Sequence, residues 1–130
     1  MSAKEPSSGR VFPRLWGANV NYDALSWQPF REGVDIFPLY GDRGHGAAAA
    51  LLRYREGARV PQHRHSDWEH ILVLAGTQAD ASGEYAAGTL VLNQPESSHS
   101  VHSRGGCVVL AIWTGPVVIL EGEQHADDRY

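Results

Sequence analysis

Gly57-Ala-Arg-Val-Pro61-Gln-His63-Arg-His65-Ser-Asp-Trp68-Glu69-His70-Ile-Leu-Val-Leu-Ala-Gly76 decides how this chain is read. Its spacing is G-x5-H-x-H-x3-E-x6-G. Side chains alternate along a strand, so two histidines one residue apart point to the same face and can grip one ion from one side. Ser66 and Asp67 supply turn chemistry. Glu69 then opens an apolar run, Ile71 to Ala75, which reads as the next strand of a buried sheet. An antiparallel neighbour of the histidine strand is expected to bring Glu69 beside His63 and His65.

A further ligand comes about thirty residues on, in Gly88-Thr-Leu-Val-Leu-Asn-Gln-Pro95-Glu-Ser-Ser-His99. A glycine turn leads into an apolar strand, a proline turn follows, and His99 stands where the chain re-enters the sheet. His102 lies close by, but alternation puts it on the opposite face from His99 and so exposed or behind the site. Three neutral imidazoles and one carboxylate form a mixed N/O set suited to one divalent Fe, Mn, Ni, Co or Zn ion. In an octahedral ion, four protein ligands leave two positions for water, oxygen or a substrate.

At 130 residues the chain is long enough for one core and too short for two domains. With 42% hydrophobic and 20% charged residues it is globular in composition. A net charge of −4 argues against a nucleic-acid backbone as partner. One cysteine, Cys107, rules out an internal disulfide and is compatible with a reducing cytosol. No long apolar run spans a membrane and no secretory signal is seen at the N-terminus, so a cytoplasmic protein is expected.

The punctuation of the chain predicts many short strands. Val34–Tyr40 reads as an edge strand, since Pro38 cannot donate to a ladder. Ala47–Arg55 reads as a strand despite its four alanines. Thr77–Ala81, Thr89–Asn93, His99–Ser103, Cys107–Trp113 and Val117–Leu120 follow, with a tight turn at Ser82-Gly83. With no convincing long helix, this is an all-β sandwich or barrel, and the spacing of the two ligand segments selects a jelly roll.

These residues resemble a known family. Segment 57–76 matches the first cupin motif at every fixed position and 88–99 resembles the second. The wider stretch from Trp27 to Trp113 is similar to the cupin domain of ChrR-type anti-sigma factors and their stand-alone relatives. Trp27-Gln-Pro-Phe-Arg-Glu-Gly33, Pro61-Gln-His-Arg-His65, Gly83-Glu-Tyr85, Gly88 and Gly106-Cys107 carry that likeness. The resemblance implies a cupin jelly-roll domain over residues 11–120, with metal ligands His63, His65, Glu69 and His99. A disordered tail is expected over 1–10 and a flexible acidic one over 121–130. An extended arm over Val11–Tyr22 is expected to pack its apolar side chains, and in a cupin such an arm often crosses to a second subunit, hence a homodimer. Where the family usually has glycine two residues before the last histidine this chain has Ser97, which is expected to tighten or shift that turn.

The resemblance implies a metal-dependent small-molecule enzyme, dioxygenase-type, acting on a chelating carbonyl or phenolic substrate. The alternative is a metal-dependent sensor or regulatory domain. A direct anti-sigma role is not expected, because the family's sigma-binding half uses a zinc site of histidine and cysteines that Cys107 alone cannot form. For the remaining candidates the ordinary roles lead. His70, next to Glu69, faces outward; His45 and His125 lie in loops; Cys107 is an inert buried thiol. Arg53 and Arg55 line a solvated strand face, with one within reach of an anionic ligand. Trp68, Trp113 and Gln78 are candidates at the pocket mouth, with core packing the leading expectation for either tryptophan.

Overall fold

The computed structural model describes residues 9–42 and 44–120. Most of the two expected tails, and His125 with them, lie outside these residues. Ten strands run in chain order: β1 Gln28–Arg31, β2 Val34–Gly41, β3 Ala48–Tyr54, β4 Arg59–His65, β5 Glu69–Asp80, β6 Gly83–Ala86, β7 Leu90–Asn93, β8 Ser98–His102, β9 Cys107–Trp113 and β10 Val117–Ile119. All pairings are antiparallel, along the path β1-β2-β3-β9-β5-β8-β4-β10, with β6 and β7 also on β5. No α-helix forms among the described residues; a 3-10 turn at Tyr22–Ala24 is capped by the Asn21 side chain. None is therefore long and apolar enough to cross a membrane.

β5 joins the two sheets of this jelly roll. Its first half pairs with β9 and β7 in one sheet, and its second half with β6 and β8 in the other. The sequence predicts two strands here, Ile71–Ala75 and Thr77–Ala81. The structure runs them as one bent strand. The bend lies at an irregularity between Val73 and Ala75, followed by Gly76 at φ 72°. A Cβ on Gly76 would stand 2.1 Å from the Gly106 carbonyl oxygen, so only glycine fits there.

β3 and β9 form the middle of the first sheet, in register from Ala48↔Trp113 to Tyr54↔Cys107. Alanine-rich β3 is a strand because it is wedged between β2 and β9 and buried on both faces, which overrides its helix propensity. Ala48, Ala50, Leu52 and Tyr54 face the barrel interior with Val60, Ile71, Val73, Val109 and Trp113. Ala49 and Leu51 face the other way, into a second cluster covered by Phe12, Leu15, Leu25 and Trp27. Phe12 and Leu15 of the N-terminal arm are thus partly buried on its own sheet, while Val11 and Trp16 stay exposed, and Phe12 and Trp27 each lie 6.2 Å from the Phe37 ring, edge-on.

β2 is an edge only in part. β1 pairs with Val34, Asp35 and Ile36 and stops before Pro38. The sequence predicts no strand at β1 or β6. The turn after β5 is Ala81-Ser82, one residue earlier than expected, with Asp80 opposite Gly83.

Both Gly57 and Gly76 have positive φ, but a Cβ on Gly57 meets nothing within 4 Å. Gly57→Ala should therefore cost about 1 kcal/mol from backbone conformation alone. Gly76→Ala should cost on the order of 2 kcal/mol or more, since β9 must also move. Urea denaturation of the two variants checks the ordering, and equal losses would contradict the steric role of Gly76.

Candidate metal centre

Alternation along β4 turns His63 and His65 inward, each only 1% exposed. An irregularity between Val60 and His63 lets both point into the barrel and sets His63 opposite His99 on β8. The three rings then meet edge to face, with centroids 5.1 Å (His63–His65), 4.7 Å (His63–His99) and 4.8 Å (His65–His99) apart.

Glu69 reaches this group by another route than expected. β4 and β5 are not neighbours; β8 lies between them. The turn Ser66–Trp68 crosses from one sheet to the other, tied by the Ser66 hydroxyl to the Pro116 carbonyl and by Trp68 N–H to Thr114 Oγ1. Glu69 then projects from the opposite sheet into the barrel, beside the histidines. Its cross-strand partners are Trp113 on β9 and Asn93 on β7, and both hold its carboxylate. Trp113 Nε1–H donates to Oε2 at 2.7 Å and Asn93 Nδ2–H to Oε1 at 3.0 Å.

One ligand atom from each of His63, His65, Glu69 and His99 lies within 4.8 Å of the others, so these four could hold a metal ion. Bonds near 2 Å would bring neighbouring ligand atoms to about 3 Å and opposed ones to about 4 Å, a small contraction from the structure. Each imidazole has its Nδ1 engaged: His63 with the Pro61 carbonyl at 2.7 Å, His65 with Ser97 Oγ at 2.9 Å, His99 with Asp80 Oδ2 at 3.2 Å. A carbonyl and a carboxylate accept only, so Nδ1 of His63 and His99 carries the proton and leaves the lone pair on Nε2. The Nε2 atoms of His65 and His99 are buried without a hydrogen-bond partner. His65 Nε2 nonetheless sits 3.1 Å from Glu69 Oε1, an approach of two ligand atoms rather than a formed hydrogen bond.

The protonation states suit a cation. Burial pushes His63 down to about 4, against the opposing pull of Glu69, and burial also lowers His99. For Glu69 burial acts upward, but the His65 contact, the nearby histidines and the Trp113 N–H together hold its carboxyl below the usual range. An ionised carboxylate 3% exposed beside the neutral imidazoles of His63 and His99 is a buried negative charge that a divalent ion would offset.

The other candidates fall elsewhere. His102 is exposed and His70 sits on the outer face, 6.2 Å from the Trp68 ring. Trp68 is 41% exposed, which corrects its expected place in the core: it lies in the crossing turn. Trp113 is buried as expected, but it also serves the carboxylate. Gln78 is buried and donates to Tyr54 Oη at 3.3 Å. Arg53 bonds Asp23 at 2.9 Å and Asp35 at 3.4 Å and stacks over Trp27, so its charge is committed within the chain. Burial raises the Cys107 thiol to about 11. His45 pairs with Asp42 in an exposed loop. A cavity of about 610 Å³ lined by Arg31, Arg55, Arg59 and Pro61 contains none of the four. Asn93, Asp80 and Tyr85, which donates to Asp80 Oδ1 at 2.9 Å, escaped the sequence reading because their roles depend on sheet register.

A histidine near 6.5 unfolded and about 4 folded binds fewer protons when folded across that window. Stability therefore rises with pH there, is complete above about 6.5, and is lost on acidification. His99 and Glu69, both lowered, act in the same direction. The metal-free protein should lose on the order of 1 kcal/mol per pH unit as pH falls from 6.5 towards 4. Urea midpoints at pH 7.5, 5.5 and 4.5 check this, and a flat profile would contradict burial of neutral imidazoles.

The sequence profile described as the ChrR cupin-like domain matches residues 17–118. The solved structure of Rhodobacter sphaeroides SigE in complex with the anti-sigma ChrR superposes with a TM-score of 0.63 at 28% identity, covering 72% of this chain and 50% of that one. A cupin-like protein of unknown function from Ralstonia eutropha gives 0.63 at 22% identity, covering 75% and 63%. This chain thus spans half to just under two thirds of those two. A putative acetylacetone dioxygenase from Methylibium petroleiphilum gives 0.71 at 15% identity, covering 89% and 90%, a likeness of fold. No curated protein matches the sequence. A jelly roll whose inward His-x-His pair, carboxylate and returning histidine coincide with that profile is a cupin, and the chain belongs to the ChrR cupin-like domain family.

Proposed function

We propose that His63, His65, Glu69 and His99 bind one divalent ion of the Fe, Mn, Zn or Ni group, and that the protein is a metal-dependent small-molecule enzyme of dioxygenase type. The observation that carries the metal reading is the ligand geometry: three imidazoles with Nδ1 engaged, converging with a buried carboxylate. A bound ion would supply Lewis acidity and a template for a substrate that chelates through two oxygens, such as a diketone or a phenol. The chain does the rest. Glu69 brings one negative charge, held by Trp113 and Asn93. Asp80, itself gripped by Tyr85, orients His99. The aliphatic interior of Val60, Ile71, Val73 and Ala111 excludes water from the space behind the histidines. The fold shared over nearly full length with acetylacetone dioxygenases supports this reading by analogy.

The family match supports a second reading, a metal-dependent sensor or regulatory domain, since ChrR is described as an anti-sigma protein. In either case we take the protein to be a cytoplasmic homodimer that binds a small molecule. Metal content without added chelator, paired with O2 consumption after Fe(II) reconstitution, separates the two. About one iron or manganese per chain, with diketone-dependent uptake, is expected for the enzyme. Tightly held zinc, no uptake, and an oxidation-dependent change of oligomer or partner would transfer the assignment to the sensor.

His63→Ala and Glu69→Ala should each lose most of the metal, whereas His102→Ala should keep it; the reverse pattern would overturn the ligand set. Asp80→Ala should weaken metal binding roughly 10- to 100-fold by releasing the His99 ring, measurable by chelator competition.

A further inference from the structure

The turn between β7 and β8 carries a side chain with two simultaneous contacts. Ser97 Oγ donates to the Gln94 carbonyl at 2.6 Å, ordinary chemistry for a turn serine. The same oxygen lies 2.9 Å from His65 Nδ1. A carbonyl has no proton to give, so the hydroxyl proton is committed to Gln94 and Oγ can only accept from the ring. Nδ1 of His65 must then carry a proton, and in the neutral ring Nε2 keeps its lone pair.

That choice decides what His65 can do. Nε2 faces Glu69 Oε1 at 3.1 Å. In the opposite tautomer Nε2–H would bond the carboxylate, and a proton would stand between two atoms that must both face an ion. With Nδ1 protonated the same two atoms are both acceptors and await a cation.

The loop is built to keep Ser97 there. His65 N–H donates to the Ser97 carbonyl at 2.9 Å, and Glu96 N–H donates to the His65 carbonyl at 2.7 Å. Glu96 takes φ 72°, which is costly for a residue with a Cβ. Arg64, on the other face of β4, holds it in place by donating to both carboxylate oxygens, at 3.1 and 2.9 Å. β4 therefore grips the turn from both sides, with Arg64 outside and His65 inside.

We propose that Ser97 is a positioning residue that sets the tautomer of His65 and so keeps the metal centre open to a cation. This rests on the metal reading above. The test uses 15N-histidine-labelled, metal-free full-length protein and the ring nitrogen shifts of His65, together with Zn(II) affinity from competition with a chromophoric chelator. Wild type should show a protonated Nδ1. Ser97→Ala should shift that proton to Nε2 and weaken zinc binding roughly 10- to 100-fold. Glu96→Gly, which accepts the same φ without strain, should keep the tautomer, with zinc affinity within roughly fivefold, the most that an exposed ion pair contributes. An unchanged tautomer in Ser97→Ala overturns the proposal, as does a loss in Glu96→Gly as large as in Ser97→Ala. A wild type that binds no zinc overturns the metal reading instead, whatever the tautomer shows.

Discussion

A carboxylate buried without a fully charged partner constrains the rest of this molecule. Glu69 is 3% exposed, and the basic side chains beside it are imidazoles, two of them kept neutral by burial. Desolvating an anion is costly, and neutral hydrogen bonds offset it only in part. Two donors from the flanking strands, Trp113 and Asn93, make that offset, and both are available only because β5 lies between β9 and β7 at Glu69. The fold tolerates the charge at this point, and the charge in turn gives the imidazoles a reason to converge.

The centre is assembled across the barrel. β4 and β8 supply the histidines from one sheet, and the start of β5 supplies the carboxylate from the other. The crossing turn Ser66–Trp68 and the bend at Gly76 let one short segment contribute to both sheets. Behind the candidate site each ring has its own anchor: a backbone carbonyl for His63, a hydroxyl for His65, a carboxylate for His99. Anchors of this kind fix orientation and basicity together, which is why so small a site can be specified by so few residues.

Much of the fold was legible because its signals are local. Alternation in β4, the apolar run of β9 and the proline turn before β8 each depend on neighbouring residues, and the predicted strands fall close to the observed ones. β1 and β6 escape the sequence reading because Pro29 and Gly83 read as turn residues rather than as parts of strands. β5 was divided in two because a glycine reads as punctuation, while in the barrel it is the corner of a continuous strand. Trp68 was expected inside on hydrophobicity, but its backbone is held by Thr114 in the crossing turn and the indole is left outside. Phe12 and Leu15 of the arm pack on the outer face of the chain's own sheet.

The sequence by itself determined the candidate metal-binding residues and the all-β class, because residue type and spacing within a strand decide which side chains share a face. It could not assign the partners of those ligands. Asn93 lies 24 residues from Glu69 and Trp113 lies 44, and only the pairing of β7 and β9 with β5 brings them to one carboxylate. Ser97 shows the same limit. In sequence it reads as a departure in a turn; in the structure it is the acceptor that orients His65, because the register of β4 against the returning loop places the hydroxyl over that ring. Strand register is a long-range quantity, and the chemistry behind the ligands is decided there.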